Sequence, residues 1–228
     1  MHKSNERAGM ITEKPLKKIY CFDIDGTLLS THRAGSRSFK KAIVDMYGKE
    51  PDWKSISMAG RLDPGIFKEI LLKIGRPYVH KDWEKFKEKY LNYLIQESTD
   101  ISKWVVFPGV RETLEKLKNQ REKMILLTGN IREGARVKLE TVGLAHYFDW
   151  EGSVFGCEGQ DSRDDLAKVY QSKHNGKTLP VVIGDTPADI RIGRLLSGIS
   201  VAVATGMHSV EELSMHNPDK VLERLELD

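Results

Sequence analysis

Cysteine is nearly absent from this chain of 228 residues: there are two, Cys21 and Cys157, with no CxxC spacing. That excludes a disulfide framework and a cysteine-built zinc site. Two thiols in apolar surroundings suit a reducing compartment, so the cytoplasm is expected and both thiols are expected to be buried. Long apolar runs are missing as well. The longest, such as 124–127 and 200–204, fall far short of the roughly 20 residues that span a bilayer. The opening stretch MHKSNERAGMITEK has no apolar segment, which argues against a secretion signal there and predicts a loose arm over 1–16. A strong charge of one sign is also lacking, with 36 basic against 33 acidic residues and a net charge of +3. No basic run alternates with exposed aromatics, so nucleic-acid binding is not expected; a weak positive field favours small anions at most. There is no repeat and no low-complexity tract. What remains, 39% hydrophobic and 30% charged, is the composition of a soluble globular protein. Its length suits a core of about 150 residues with a smaller module attached.

The apolar pattern places the module inside the core. Residues 18–23 (KIYCFD) form an apolar run that ends in a polar tip, as a buried parallel strand does. From 34 to 96 the texture is helical: Phe39, Ile43 and Met46 share one face, Ile66, Ile70 and Ile74 another, and Trp83, Phe86, Tyr90 and Tyr93 a third. An aromatic stripe at that spacing is read as core rather than as a ligand surface. No strand is expected there. Beyond Phe107 the alternation typical of α/β proteins predicts strands near 124–128, 153–156, 180–184 and 200–204, with helices at 110–119, 131–142, 163–174 and 187–197. The expected fold is α/β, a Rossmann-like, mostly parallel sheet. Its core comprises 17–30 and 104–228, and a helical cap over 31–103 is inserted after the first strand.

Four segments fall at expected strand ends or at the helix starts that follow, where parallel α/β folds bind ligands. The first is Asp23-Ile24-Asp25-Gly26-Thr27-Leu28. Carboxylates at i and i+2 of an extended segment point to one side, so both can face a phosphate, one attacking phosphorus and the other handling the leaving group's proton. The plainer reading is an Asp-Gly turn capped by Thr27. The second is Leu127-Thr128-Gly129-Asn130, where the Thr128 hydroxyl and the Gly129 and Asn130 amides would offer donors to phosphate oxygens at a positive helix end. Asn130 would equally serve as an N-cap to a helix from Ile131. The third is Gly184-Asp185-Thr186-Pro187-Ala188-Asp189, a good capping-box start that leaves Asp185 unexplained at the strand tip. An acid there, facing Asp23, calls for a cation, and hard carboxylate oxygens suit Mg²⁺. The fourth, Ser162-Arg163-Asp164-Asp165, supplies a fixed positive group, Arg163, with Lys168 as the alternative; either would equally be a solvated side chain.

In this order the four segments resemble the motifs of the haloacid dehalogenase superfamily, and the helical insert is similar to its type-1 cap. The likeness runs from about Lys17 to the last strand. It implies Asp23 as nucleophile and Asp25 as general acid and base. It also implies phosphate binding by Thr128, Gly129, Asn130 and Arg163, and metal ligation by Asp23, Asp25, Asp185 and Asp189. One departure is that the lysine usual in the third motif is replaced by Arg163. Within the superfamily, Gly60-Arg61-Leu62-Asp63-Pro64-x-Ile66 resembles the cap segment of the phosphoglycolate-phosphatase-like group. That makes Arg61 a candidate contact for a second anionic group, although Asp63 and Pro64 would also simply begin a helix. The expected activity is Mg²⁺-dependent hydrolysis of a small phosphorylated metabolite through an aspartyl phosphate, by a monomer or homodimer without nucleic-acid or membrane partners. A sugar-phosphate mutase shares all four motifs. A non-catalytic regulator that binds phosphorylated ligands is a reading of another class. A dehalogenase is disfavoured by the presence of Asp25.

Overall fold

The computed structural model describes residues 16–157, 159–160, 162–174 and 178–227. The arm expected over 1–16 lies, apart from Leu16, outside the described residues. The chain opens on strand β1, Lys17–Phe22, whose Ile19, Cys21 and Phe22 are fully enclosed. Two-residue strand β2, Leu29–Ser30, leads into helices α1 (Ala34–Tyr47), α2 (Asp63–Lys73) and α3 (His80–Glu97), with a 3₁₀ turn at Trp53–Ser55. Strand β3, Val105–Val106, returns antiparallel to β2, so the two links to the helical block run side by side. The remainder alternates: α4 Val110–Asn119, β4 Lys123–Leu126, α5 Arg132–Thr141, a 3₁₀ turn Ala145–Tyr147, α6 Asp165–His174, β5 Thr178–Gly184, α7 Pro187–Leu195, β6 Ile199–Val203, α8 Val210–Ser214 and β7 Lys220–Leu222.

The main sheet has the order β4-β1-β5-β6-β7 and every pairing in it is parallel. This is the α/β architecture the apolar pattern predicts. Phe22 pairs with Leu126 on one side and Ile183 on the other, so the residues just past these positions emerge together at one edge. Those residues are Asp23, Leu127-Thr128 and Gly184-Asp185.

The helical block closes on its own apolar cluster, which includes Phe39, Phe67, Trp83, Phe86 and Tyr90. Ring centroids lie 4.4 Å apart for Phe39–Phe86 and 4.6 Å for Phe67–Phe86. The aromatic stripe is therefore core, each side chain contributing about 1.5–3 kcal/mol by burial. Ile131, at the start of α5, packs in the same cluster, so the block is seated on that helix end.

Three expectations need correction. Residues 153–156 form no strand: Val154 makes one isolated bridge, to Leu127, at the sheet edge. Cys157 is exposed, while Cys21 is buried as expected. The short elements β2, β3, α8 and β7 were not foreseen, being too brief to carry a period. Among the described residues no helix is long and apolar enough to cross a membrane.

Candidate active site

Asp23 continues the line of β1, its amide donating to Ile183 O at 3.0 Å. Its carboxylate is buried beside Arg163, with Oδ1 3.0 Å from Nη2 but out of line for a hydrogen bond, so this buried oxygen has no donor among the described residues. Burial pushes the Asp23 carboxyl up to about 6, against the pull of Arg163 and the Thr128 hydroxyl. Asp185 is buried next to it and pushed up to about 8, first by desolvation and then by the charges of Asp23 and Asp189. Its Oδ1 accepts from Thr27 Oγ1 at 3.0 Å. Gly26 is required beside it: φ is +88°, and an added Cβ would meet Asp185 Oδ2 at 2.3 Å.

Asp189 has two jobs at once. Oδ2 takes the Thr186 amide at 3.1 Å and the Thr186 hydroxyl at 2.6 Å, as the capping box predicts, while Oδ1 takes Arg163 Nη2 at 2.5 Å. Arg163, just ahead of α6, is thus held between two buried acids, and its ionisation is shifted further up by both charges against the opposing effect of burial. Lys168 is 76% exposed and pairs with Asp165. Between the two candidates, the structure brings Arg163 to Asp23.

The carboxylates of Asp23, Asp185 and Asp189 present oxygens that all lie within 4.8 Å of one another. An all-oxygen, all-acid donor set with an undonated oxygen on Asp23 fits a hard divalent cation such as Mg²⁺. Asp25, expected among the ligands, stands outside this cluster. Its side chain is 43% exposed, and Oδ2 accepts from Lys138 Nζ at 2.6 Å and from Asn130 Nδ2 at 2.9 Å.

Thr128 is fully buried at the end of β4, and its Oγ1 accepts from the Asn130 side chain at 2.9 Å. Asn130 is not the N-cap of α5; Ile131 holds that position without a side-chain cap of its own. The missing acceptor comes from the helical block, where Asp63 Oδ2 takes the Ile131 amide at 2.9 Å. Asp63 also donates its amide to Gly129 O at 3.0 Å, and Arg61 O lies so near that a Cβ on Gly129 would meet it at 2.1 Å. The 60–63 segment therefore sits directly over the Thr128 loop. Arg61 contributes its backbone there, because its guanidinium turns to Ser57 O at 3.1 Å and to Glu69. Asp63 is pushed up to about 6 by burial, with Lys138 opposing the rise. Lys138 escaped the sequence reading, although a cation on the buried stripe of α5, beside Ala135 and Leu139, is the signal that marks it.

Residues 20–204 match the family described as haloacid dehalogenase-like hydrolase. The chain belongs to that family. Among curated members it is similar to a phosphoglycolate phosphatase from Aquifex aeolicus, at 25% identity over 91% of this chain and 92% of the relative. It is similar also to pyrophosphatase PpaX from Halalkalibacterium halodurans, at 26% identity over 88% and 90%. Of solved structures, a hydrolase from Pseudomonas syringae superposes with a TM-score of 0.67 at 21% identity, covering 92% of this chain and 94% of that one. As a hydrolase of this family, the chain carries aspartates at 23 and 25, and Arg163 is the basic side chain that reaches Asp23.

Proposed function

We propose that the protein is a Mg²⁺-dependent phosphatase acting on a small organic phosphate monoester in the cytoplasm. The observation that carries the reading is the placement of Asp23, a buried carboxylate between Arg163, Asp185 and the Thr128 hydroxyl, with Asp25 two residues on and open to solvent. Asp23 and Asp185 would hold the metal ion, which when bound offsets the repulsion between anionic nucleophile and anionic substrate. Asp23 attacks phosphorus in line, the bond to the leaving oxygen breaks, and Asp25 supplies its proton. Water then attacks the aspartyl phosphate as Asp25 takes a proton back, releasing phosphate and restoring Asp23. Thr128, the Gly129–Asn130 backbone and Arg163 position the phosphoryl oxygens. The helical block acts as a cap over 31–103 that excludes bulk water and selects the leaving group.

The names of the relatives suggest phosphoglycolate and pyrophosphate as first substrates to try. Release of free phosphate from a panel of small phosphates, with and without Mg²⁺, tests the proposal. Hydrolysis without any bisphosphate activator supports a phosphatase. Transfer of the phosphoryl group to a sugar hydroxyl in place of water would make it a mutase.

A further inference from the structure

Lys138 is 3% exposed, with its backbone in the last turn of α5 and its ammonium buried. Two effects disfavour it. A buried ammonium loses its water, and its stem runs back toward the N-terminus of α5, where the helix dipole repels positive charge. These effects are offset by acceptors from separate segments. Nζ donates to Asp25 Oδ2 and to Asn130 Oδ1, both at 2.6 Å, and the Asp63 carboxylate that caps Ile131 is close enough for the two charges to act on each other. Helices α1 and α3 close the space: a Cβ added to Gly35 would lie 3.4 Å from Nζ and 3.8 Å from the Tyr90 hydroxyl.

The consequence falls on Asp25. Both hydrogen bonds it accepts among the described residues end on Oδ2, one from Lys138 and one from Asn130 Nδ2. Asn130 is itself fixed, by Lys138 through Oδ1 and by Thr128 through Nδ2. Two donors on one oxygen oppose rotation of the carboxyl and leave Oδ1 for the proton that moves. Among the described residues Lys138 makes no hydrogen bond or ion pair to Asp23 or Asp185, and its direct contact with the first-motif acids is Asp25.

We propose that Lys138 is a positioning residue that orients Asp25 through Oδ2 for proton exchange with the leaving group and water. The inference rests on reading Asp25 as the acid and base. The test is a double-mutant cycle with a simple alkyl phosphate and nitrophenyl phosphate as substrates. Lys138→Met keeps most of the side chain's length and should lower kcat on the alkyl phosphate on the order of 10- to 100-fold, the scale of a misplaced catalytic group. KM and nitrophenyl phosphate turnover should move by less than about threefold, since a good leaving group needs little protonation. In the Asp25→Asn background, adding Lys138→Met should change nothing further. Equal losses on both substrates, or a further loss beyond Asp25→Asn alone, would overturn the proposal. If Asp25→Asn itself spares the alkyl phosphate, the acid–base reading fails and the role of Lys138 falls with it, an outcome distinct from a cycle in which only Lys138 misbehaves. Should Lys138→Met unfold, Lys138→Leu, which also removes the donor, carries the same comparison.

Discussion

At the scale of single residues, the two acids of the first motif differ in surroundings and should differ in failure. Asp23 is buried against Arg163, whereas Asp25 is half-exposed and held through one oxygen. Asp23→Asn keeps the shape and removes the proposed nucleophile, so phosphate release should fall to background and no phosphoryl mass should appear on quenched protein. Asp25→Asn keeps the nucleophile, so an alkyl phosphate should lose roughly 10²–10⁴ in rate while nitrophenyl phosphate loses less, with phosphoenzyme accumulating. A phosphoryl mass on Asp23→Asn, or equal losses for both substrates on Asp25→Asn, would reverse the roles. Arg163 gives a stability test. It pairs with Asp23 and Asp189, both buried, and Arg163→Met leaves their charges uncompensated. Denaturant unfolding without divalent cation should show a loss of about 3–5 kcal/mol. A loss under 1 kcal/mol would mean that the acids rearrange or stay protonated.

Among elements, the meeting of the helical block with α5 was the least legible in the sequence. Asn130 has every local mark of an N-cap, yet its amide is drawn into the Thr128, Asp25 and Lys138 network, and Asp63, far away in sequence, caps Ile131 instead. Local rules could not see this, because the acceptor belongs to another element. By contrast Thr186, Pro187 and Asp189 form the capping box that the string predicts, since all its partners lie within one turn. The core strands were legible for a similar reason: burial on both faces leaves unbroken apolar runs in β1, β4, β5 and β6, whereas two or three residues in β2, β3 and β7 carry no period. Asp63 also makes the docking pH-sensitive. Its carboxyl is raised from 3.8 to about 6 in the fold, so between those values the folded protein holds a proton that the unfolded chain has lost. Its contribution is present below the lower value and lost as pH rises through the upper one. Asp63→Asn, which keeps an acceptor for the Ile131 amide, should therefore gain Tm relative to the parent between pH 4 and pH 7. A difference that stays flat across that range would show that Asp63 titrates normally.

Taken as one molecule, the protein gathers acids at one sheet edge that its fold alone leaves in repulsion. Asp23 and Asp185 emerge from adjacent parallel strands, and the register that builds the sheet holds their carboxylates together. Arg163 neutralises part of that charge, but its Nη2 is shared between Asp23 and Asp189 and does not reach into every pair. A divalent cation that binds the folded chain and not the unfolded one should then stabilise the whole by mass action, by about 2.7 kcal/mol at a hundred times its dissociation constant. For a chain of this size that corresponds to a rise of roughly 5–10 °C in Tm. The family resemblance implies Asp23, Asp25, Asp185 and Asp189 for this ligation, with Asp189 in a supporting place, and their surroundings differ. Asp23 and Asp185 have the oxygens most open to a cation; Asp189 lies in the same cluster with its oxygens already accepting from Thr186 and Arg163, and the Asp25 carboxylate is turned to Lys138 and Asn130. Melting each Asp→Asn variant with MgCl₂ and with EDTA should show the Mg²⁺-dependent rise lost in Asp23→Asn and Asp185→Asn and kept in Asp25→Asn. A rise that survives both of the first two, or that vanishes with Asp25→Asn, would place the cation elsewhere, on the Asp25 side of the strand tips.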